Sequence, residues 1–339
     1  MARKLVFDTA NLLFRVAAVN AGKSFGSPEE QAALALHVSF QSIYKYYKKF
    51  KPDQIAFTFE GIDNWRKTLT KSPDAIAGNI YKANRIKDAS MEPYFQLMDS
   101  FREVMTLYSS AVILRQDLLE GDDCFAAYAQ VNCEAGHEVI GVSGDRDFIQ
   151  LYKLPGFKLI NPDTGKERNQ PGDKEYYEDI DYWLFLKCVR GDKGDYVFSA
   201  YPNVRETKIK RAYEDDFYRL EFMNTTWDIK DAEGNVAKSH TVGALFEENK
   251  ILMDLFAQPE HIKELMVKTV HEAEANISKY SNFHFLKFLG THHLQELALK
   301  IDTFTDMLSC NSRYQKTLLE ETSLVELEPS PKKKVLVDF

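Results

Sequence analysis

The chain has 339 residues, 44% hydrophobic and 28% charged, with 43 Lys and Arg against 51 Asp and Glu for a net charge of −8. That is an ordinary globular composition, long enough for about two domains. No run approaches the ~18 apolar residues of a spanning helix, and Asp8 and Asn11 interrupt the opening MARKLVFDTANLLF, unlike a signal peptide. Cys124, Cys133, Cys188 and Cys310 occur singly. That spacing argues against a structural zinc site and for a reducing, cytoplasmic setting.

The acidic total hides two blocks of opposite sign. Residues 41–90 carry ten bases against five acids, whereas residues 117–147 carry eight acids against Arg146 alone. Such a chain can bind a polyanion through one block and cations through the other, or can simply solvate two helix faces.

In chain order, LVFD (5–8) reads as a strand and 11–20 as a helix. Residues 29–50 show apolar residues at helical spacing and stop before Pro52. QIAFTF (54–59) is a second strand, 65–90 is basic and weakly patterned, 92–108 is helical and AVILR (111–115) is a third strand. A helix over 121–136 and the strand HEVIGV (137–142) follow. Strands alternating with helices imply parallel βαβ units, so the expected class is α/β, a mostly parallel central sheet flanked by helices. Beyond residue 196 the strand signals fade, and 206–222, 243–256, 260–280 and 291–320 read as helices separated by polar stretches such as TWDIKDAEGN. The expected domains are therefore a catalytic unit over 1–200, a smaller helical C-terminal unit over 201–326, and a flexible tail over 327–339.

The acids fall at telling positions. Asp8, Glu60 and the pair Asp145/Asp147 each follow an apolar strand directly, and parallel strands share one carboxyl edge, outside which ligands bind. Glu120, Asp122 and Asp123 lie where the third strand hands over to its helix, and Asp192 and Asp195 sit in the turn RGDKGDY. Taken singly, Asp122 also reads as a helix N-cap, Asp145 as a turn residue and GDKGD as a solvated turn. Together they make an oxygen-rich cluster that cannot stay ionised without cations, and it suits Mg²⁺ or Mn²⁺ rather than zinc. None of the eight histidines sits in a motif.

Six stretches carry a resemblance: VFDTANLLFR (6–15), FTFEGIDNWR (57–66), YKANR (81–85), LLEGDDCFAAY (118–128), GVSGDRDFIQL (141–151) and VRGDKGDYV (189–197). In this order and spacing they resemble the 5′-nuclease family: flap endonucleases, the 5′-nuclease domains of bacterial polymerases, and phage 5′→3′ exonucleases, including phage enzymes with ribonuclease H activity. The resemblance implies a metal-dependent, structure-specific 5′-nuclease that removes RNA primers and flaps during phage DNA replication. It implies two Mg²⁺ ions, with Mn²⁺ as a substitute. One ion would be held by Asp8, Glu60, Glu120 and Asp122, with Asp123 close by. The second would be held or oriented by Asp145, Asp147, Asp192 and Asp195. Lys82 and Arg85, three residues apart and so on one helix face, would grip the scissile phosphate from a helical arch at about 65–90. Tyr81 and Trp65 would stack on unpaired bases or pack in the core. Arg66 and Lys67, with Lys208, Lys210, Arg211 and Arg205, are the candidate nucleic-acid contacts, the latter four also reading as a plain solvated helix face.

The chain departs from the family at three places: Glu60 stands where Asp is usual, Tyr196 where Asn is usual, and the glycine-rich hairpin after the GDxxD turn is missing. The resemblance implies a monomer acting on DNA flaps, forks and RNA–DNA hybrids, with no membrane partner. A single-stranded-DNA-binding protein would recruit it through the helical second half. The end VLVDF is either a peptide that docks on a sliding clamp or an unstructured terminus. Two rivals remain. A phosphohydrolase with an aspartyl nucleophile would want an acid two residues after Asp8, where Ala10 stands. A non-catalytic DNA-junction scaffold would bind without cutting.

Overall fold

The computed structural model describes residues 1–21, 28–85, 91–173, 176–230, 236–291 and 294–317. The chain opens with β1 (Arg3–Asp8), α1 (Thr9–Ala21), α2 (Pro28–Phe50), β2 (Gln54–Thr58), α3 (Trp65–Lys71), α4 (Glu92–Tyr108) and β3 (Val112–Leu114). It continues through α5 (Gly121–Glu134), β4 (Glu138–Val142), β5 (Phe157–Ile160) and α6 (Ile180–Arg190). The remainder is α7 (Glu206–Glu214), α8 (Asp216–Asn224), the ribbon β6 (Thr226–Lys230) and β7 (Val236–Thr241), then α9 (Val242–Met253) and α10 (Glu260–Ala275). It ends in α11 (Asn282–Thr291), α12 (Gln295–Ala298) and α13 (Ile301–Leu308), with further helix over 310–317.

β1 to β5 form one parallel sheet in the order β3-β2-β1-β4-β5. Successive side chains on a strand face opposite ways, and β1 shows the consequence. Leu5 and Phe7 join a core built with α1, α2, α4 and α11–α13, while Val6 joins another built mainly with α5 and α10. Both faces are therefore covered, as an all-parallel sheet requires. The central place of β1 between β2 and β4 brings three strand ends to one edge, and Asp8 is level with Thr58 in the register.

The four expected strands are present. The structure adds one strand and corrects one reading. FKLI forms a fifth strand, which its length of four residues and the lysine in its middle concealed; a lysine suits an edge strand because it discourages further pairing. The stretch TWDIKDAEGN is not a simple spacer, since its first five residues form β6, paired antiparallel with β7. Helices of the C-terminal half complete the cores on both faces of the sheet. Phe285, Phe288, Phe304 and Leu308 share a core with Leu5 and Phe7, and Ile262 and Met266 share one with Val6. The tail 327–339, His292 and His293 lie outside the described residues, as do 86–90 of the expected arch.

Candidate active site

The carboxyl edge of the sheet carries the acids. Asp8, the last residue of β1, is buried; its carboxylate accepts from the Asn11 amide (3.0 Å) and the Ser143 hydroxyl (2.6 Å). Ser143 in turn accepts from the Asp145 amide (2.9 Å), and the Asn11 side-chain oxygen accepts from the Gly144 amide (3.0 Å). The turn after β4 is thus fastened to the end of β1, which fixes Asp145 beside Asp8. Glu60, just beyond β2, reaches across to accept from the Gly121 amide (3.1 Å) at the start of α5. The extra methylene of Glu over Asp provides that reach. Glu120 is the N-cap of α5, where the helix dipole favours an anion.

These groups raise one another's pKa. Burial, then the charge of neighbouring Asp145, pushes Asp8 up to about 6. Burial and the Glu120 charge push Glu60 up to about 7, although it remains solvent-accessible at the rim. Asp122 lies well above the carboxylate range through burial and the charges of Asp145, Asp8 and Glu60, opposed by Lys82. Like charges at such a site cannot all ionise unless cations join them.

Two lysines supply part of that charge. The Lys82 ammonium donates to Glu120 (2.5 Å) and stands 3.9 Å from Asp195. Although burial alone would lower its pKa, Glu120, Asp122 and Asp195 hold it above the usual lysine range. Lys187 donates to Asp147 and lies 3.4 Å from Asp192, and its ammonium is held up in the same way against burial. Lys187 is a site residue that the sequence reading missed. Its only signal was a lysine in the last turn of the helix entering RGDKGDY, which looks like an ordinary dipole partner. Asn11 and Ser143 were missed too, though their places three residues after Asp8 and two before Asp145 offered a hint.

The GDKGD turn is built for close approach. Asp192 and Val197 form an antiparallel bridge, and Gly191 has φ +69; a Cβ there would stand 2.4 Å from the Val197 carbonyl oxygen. Asp192 accepts from the Gly194 amide (2.8 Å), and Asp195 accepts from Arg85 (2.6 Å) and the Tyr81 hydroxyl (2.9 Å).

Several expectations change. Residues 81–84 form turns rather than helix, and Lys82 has φ +54, so Lys82 and Arg85 do not share a helix face. Both nevertheless reach Asp195. Arg66 is only 2% exposed and cannot touch nucleic acid: it donates twice to Asp123 (2.7 and 2.9 Å), to Glu120 (2.9 Å) and to the Leu252 carbonyl (2.8 Å). Asp123 accepts also from Trp65 Nε1 (3.0 Å) and the Glu120 amide (3.1 Å). That fills its acceptor capacity inside the protein and removes it from the open edge. Trp65 and Tyr81 are buried, so neither offers a face to a base. Lys67, Arg205, Lys208, Lys210 and Arg211 are exposed, with Lys210 near Glu214 (3.7 Å) and Arg211 stacked on Tyr218 at 4.2 Å.

Among the described residues, no three Asp, Glu, His or Cys side chains stand together as a ready metal cage. The basic side chains account for part of this, because Arg66, Lys82 and Lys187 hold Glu120, Asp147 and Asp192. The donor chemistry still fits a hard divalent cation: the candidate donors are all carboxylate oxygens, and Asp8, Glu60 and Asp122 carry mutually raised pKa values that a cation would relieve.

Residues 3–179 match the family described as 5′-3′ exonuclease, N-terminal resolvase-like domain, a little over half of the chain. The chain belongs to this 5′-nuclease family. Ribonuclease H of Enterobacteria phage T4 is 27% identical over 197 residues, covering 54% of this chain and 60% of that protein, so the chain spans less than two thirds of this relative's length. Among solved structures, bacteriophage T5 5′-exonuclease with bound zinc superposes with TM-score 0.55 at 18% identity, over 80% of this chain and 99% of that one. The T5 D15 flap endonuclease in a pseudo-enzyme-product complex with DNA and metal ions gives 0.54 at 15%, over 81% and 100%. At these identities the likeness is one of fold, and the chain shares the parallel sheet and flanking helices of that nuclease. No helix among the described residues is long and apolar enough to cross a membrane.

Proposed function

We propose that the protein is a Mg²⁺-dependent, structure-specific 5′-nuclease that acts on 5′ ends and flaps of DNA and RNA–DNA hybrids, removing RNA primers and flaps in replication. The observation that carries this reading is the line of carboxylates along the sheet edge, Asp8, Glu60, Asp122 and Asp145, whose charges act on one another. The T4 relative is a ribonuclease H, and a T5 structure of the same fold holds DNA and metal ions.

Asp8, Glu60, Glu120 and Asp122 would hold one ion and Asp145, Asp147, Asp192 and Asp195 the other, with Mn²⁺ able to replace Mg²⁺. When bound, such ions supply a water of lowered pKa and neutralise charge on the phosphodiester. The chain's own residues do the rest. Arg85, paired with Asp195 yet 60% exposed at its side chain, is free to turn and fork onto a phosphate. The Lys82 ammonium, held charged by Glu120, Asp122 and Asp195, would stabilise the negative charge that develops at the scissile phosphate. Ser143 and Asn11 keep Asp8 and the 143–145 turn in place through the reaction. Lys67, Lys208, Lys210 and Arg211 would grip backbone phosphates, so recognition follows junction shape rather than base sequence.

Residues 1–200 would carry catalysis and 201–326 duplex and partner binding, including a single-stranded-DNA-binding protein. The end VLVDF would dock on a sliding clamp. The test is a gel assay on a 5′-labelled flap and on a 5′-labelled RNA primer annealed to DNA, with and without Mg²⁺. Metal-dependent release of short 5′ products, abolished by Asp145→Asn, is the expected result. Tight junction binding without cleavage in Mg²⁺ or Mn²⁺ would make the protein a junction scaffold instead.

A further inference from the structure

A cavity of about 290 Å³ opens between the 198–202 loop and the β6–β7 ribbon, and the nuclease reading makes no use of it. Its walls include Phe198, Ser199, Trp227, Asp228 and His240. The volume suits one nucleobase. Two aromatic rings in the wall offer a stacking face, and base–aromatic stacking tolerates any sequence.

The polar groups are as informative as the rings. His240 is 7% exposed, and its Nδ1 meets the Thr241 carbonyl at 2.9 Å. That contact makes Nδ1 the donor, so Nε2 is a bare acceptor, buried and without a partner. A buried acceptor left unpaired is costly, and a bound N–H donor would satisfy it. Asp228 accepts the Ser239 hydroxyl on one oxygen (2.6 Å), which leaves its second oxygen to accept another N–H. Each nucleobase carries at least one N–H on its pairing edge, and that edge is free only when the base is unpaired.

The cavity is also near the acids. Asp195 and Phe198 are three residues apart, so their Cα atoms lie within about 11 Å. Tyr196, 37% exposed, has φ +60 and meets the Phe198 ring edge-on at 5.2 Å, forming an aromatic step from the GDKGD turn to the cavity.

From these observations we infer that the Phe198–Trp227–His240 cavity is a nucleobase subsite that captures one unpaired base within a few nucleotides of the scissile phosphate. The inference rests on the nuclease reading and adds a substrate feature to it: the enzyme senses an unpaired base beside the junction. Trp227 supplies the stacking face, His240 Nε2 and Asp228 accept the base N–H groups, and Tyr196 guides the strand from the acids into the cavity.

The experiment places 2-aminopurine at each of the first three unpaired positions of a 5′-flap DNA and titrates the protein in Ca²⁺, with cleavage of the same flaps in Mg²⁺ run in parallel. At one position the probe should lose most of its fluorescence on binding. Trp227→Ala should abolish that quench and raise KM about tenfold, Trp227→Phe should retain it, and an abasic flap at that position should be cut equally by wild type and W227A. Ser199→Phe, which fills the cavity with Trp227 in place, should reproduce the W227A result and covers the case in which W227A fails to fold. Quenching unchanged by W227A and S199F at every position, with Mg²⁺-dependent cleavage intact, would refute the subsite and leave the nuclease standing. No cleavage by wild type with Mg²⁺ would refute both.

Discussion

Asp123→Ala tests whether the Arg66 network is the structural floor of the site. Arg66 and Asp123 are sealed from water, at 2% and 0% exposure of their side chains. The substitution removes two of the four hydrogen bonds that the Arg66 side chain makes, together with the acceptor for Trp65 Nε1 and for the Glu120 amide that completes the N-terminal capping box of α5. Breaking one partner of a buried pair costs about 3–5 kcal/mol, and a lost cap adds about 1. Arg66 keeps Glu120 and the Leu252 carbonyl, which places the expected loss toward the lower end, about 3–4 kcal/mol. Urea unfolding should show a lower midpoint at unchanged m-value. The comparison is Glu206→Ala, whose pair with Arg190 leaves both side chains about half exposed and should cost no more than about 1 kcal/mol. A loss below about 1 kcal/mol for Asp123→Ala would refute the structural assignment and return Asp123 to the list of candidate metal ligands.

Asp122→Asn should abolish cleavage yet raise the melting temperature of the metal-free protein, since it removes a group whose ionised form is disfavoured by burial and by its neighbours; an equal or lower melting temperature would count against the repulsion. The pH dependence follows from the same groups. Asp8 and Glu60 are raised in the folded state to about 6 and about 7, so between pH 4 and 7 the folded state holds more protons than the unfolded. Their contribution to stability is therefore complete below about pH 4 and lost as pH rises through 6 and 7. The melting temperature without metal should fall across pH 5–7.5, and Mg²⁺ should restore it above pH 7; a flat profile would contradict the raised values. Lys187→Ala frees Asp147 and Asp192 from a built-in cation, so Mn²⁺ binding without DNA, followed by calorimetry, should tighten several-fold, and weaker binding would place Lys187 outside the competition. Lys208→Ala should leave stability within about 0.5 kcal/mol and lower the salt slope of flap binding by about one; an unchanged slope would remove that face from the DNA contact.

The α/β class and the edge position of the acids were legible in the sequence because both are local. Apolar runs of strand length declare strands, and a parallel sheet sends the residues after its strands to one edge whatever the details of packing. The helix expected over 121–136 forms over Gly121–Glu134, its acidic start marking the N-terminus. Segments whose pattern depends on distant partners were not legible. β6 is strand only because β7 pairs with it, and FKLI only because β4 lies beside it.

The division of labour among charges was decided by the tertiary structure alone. Asp122 and Asp123 are neighbours in sequence, but a helix turns successive side chains by about 100°, so Asp122 meets Asp8 and Asp145 while Asp123 meets Arg66. Arg66 and Lys67 diverge for the same reason, one sealed beneath the site and the other in solvent. Lys187 comes to Asp147 across forty residues, a contact no spacing announces. Sequence determined which chemical groups gather at the edge; only the fold decided which of them face a substrate and which hold the others still.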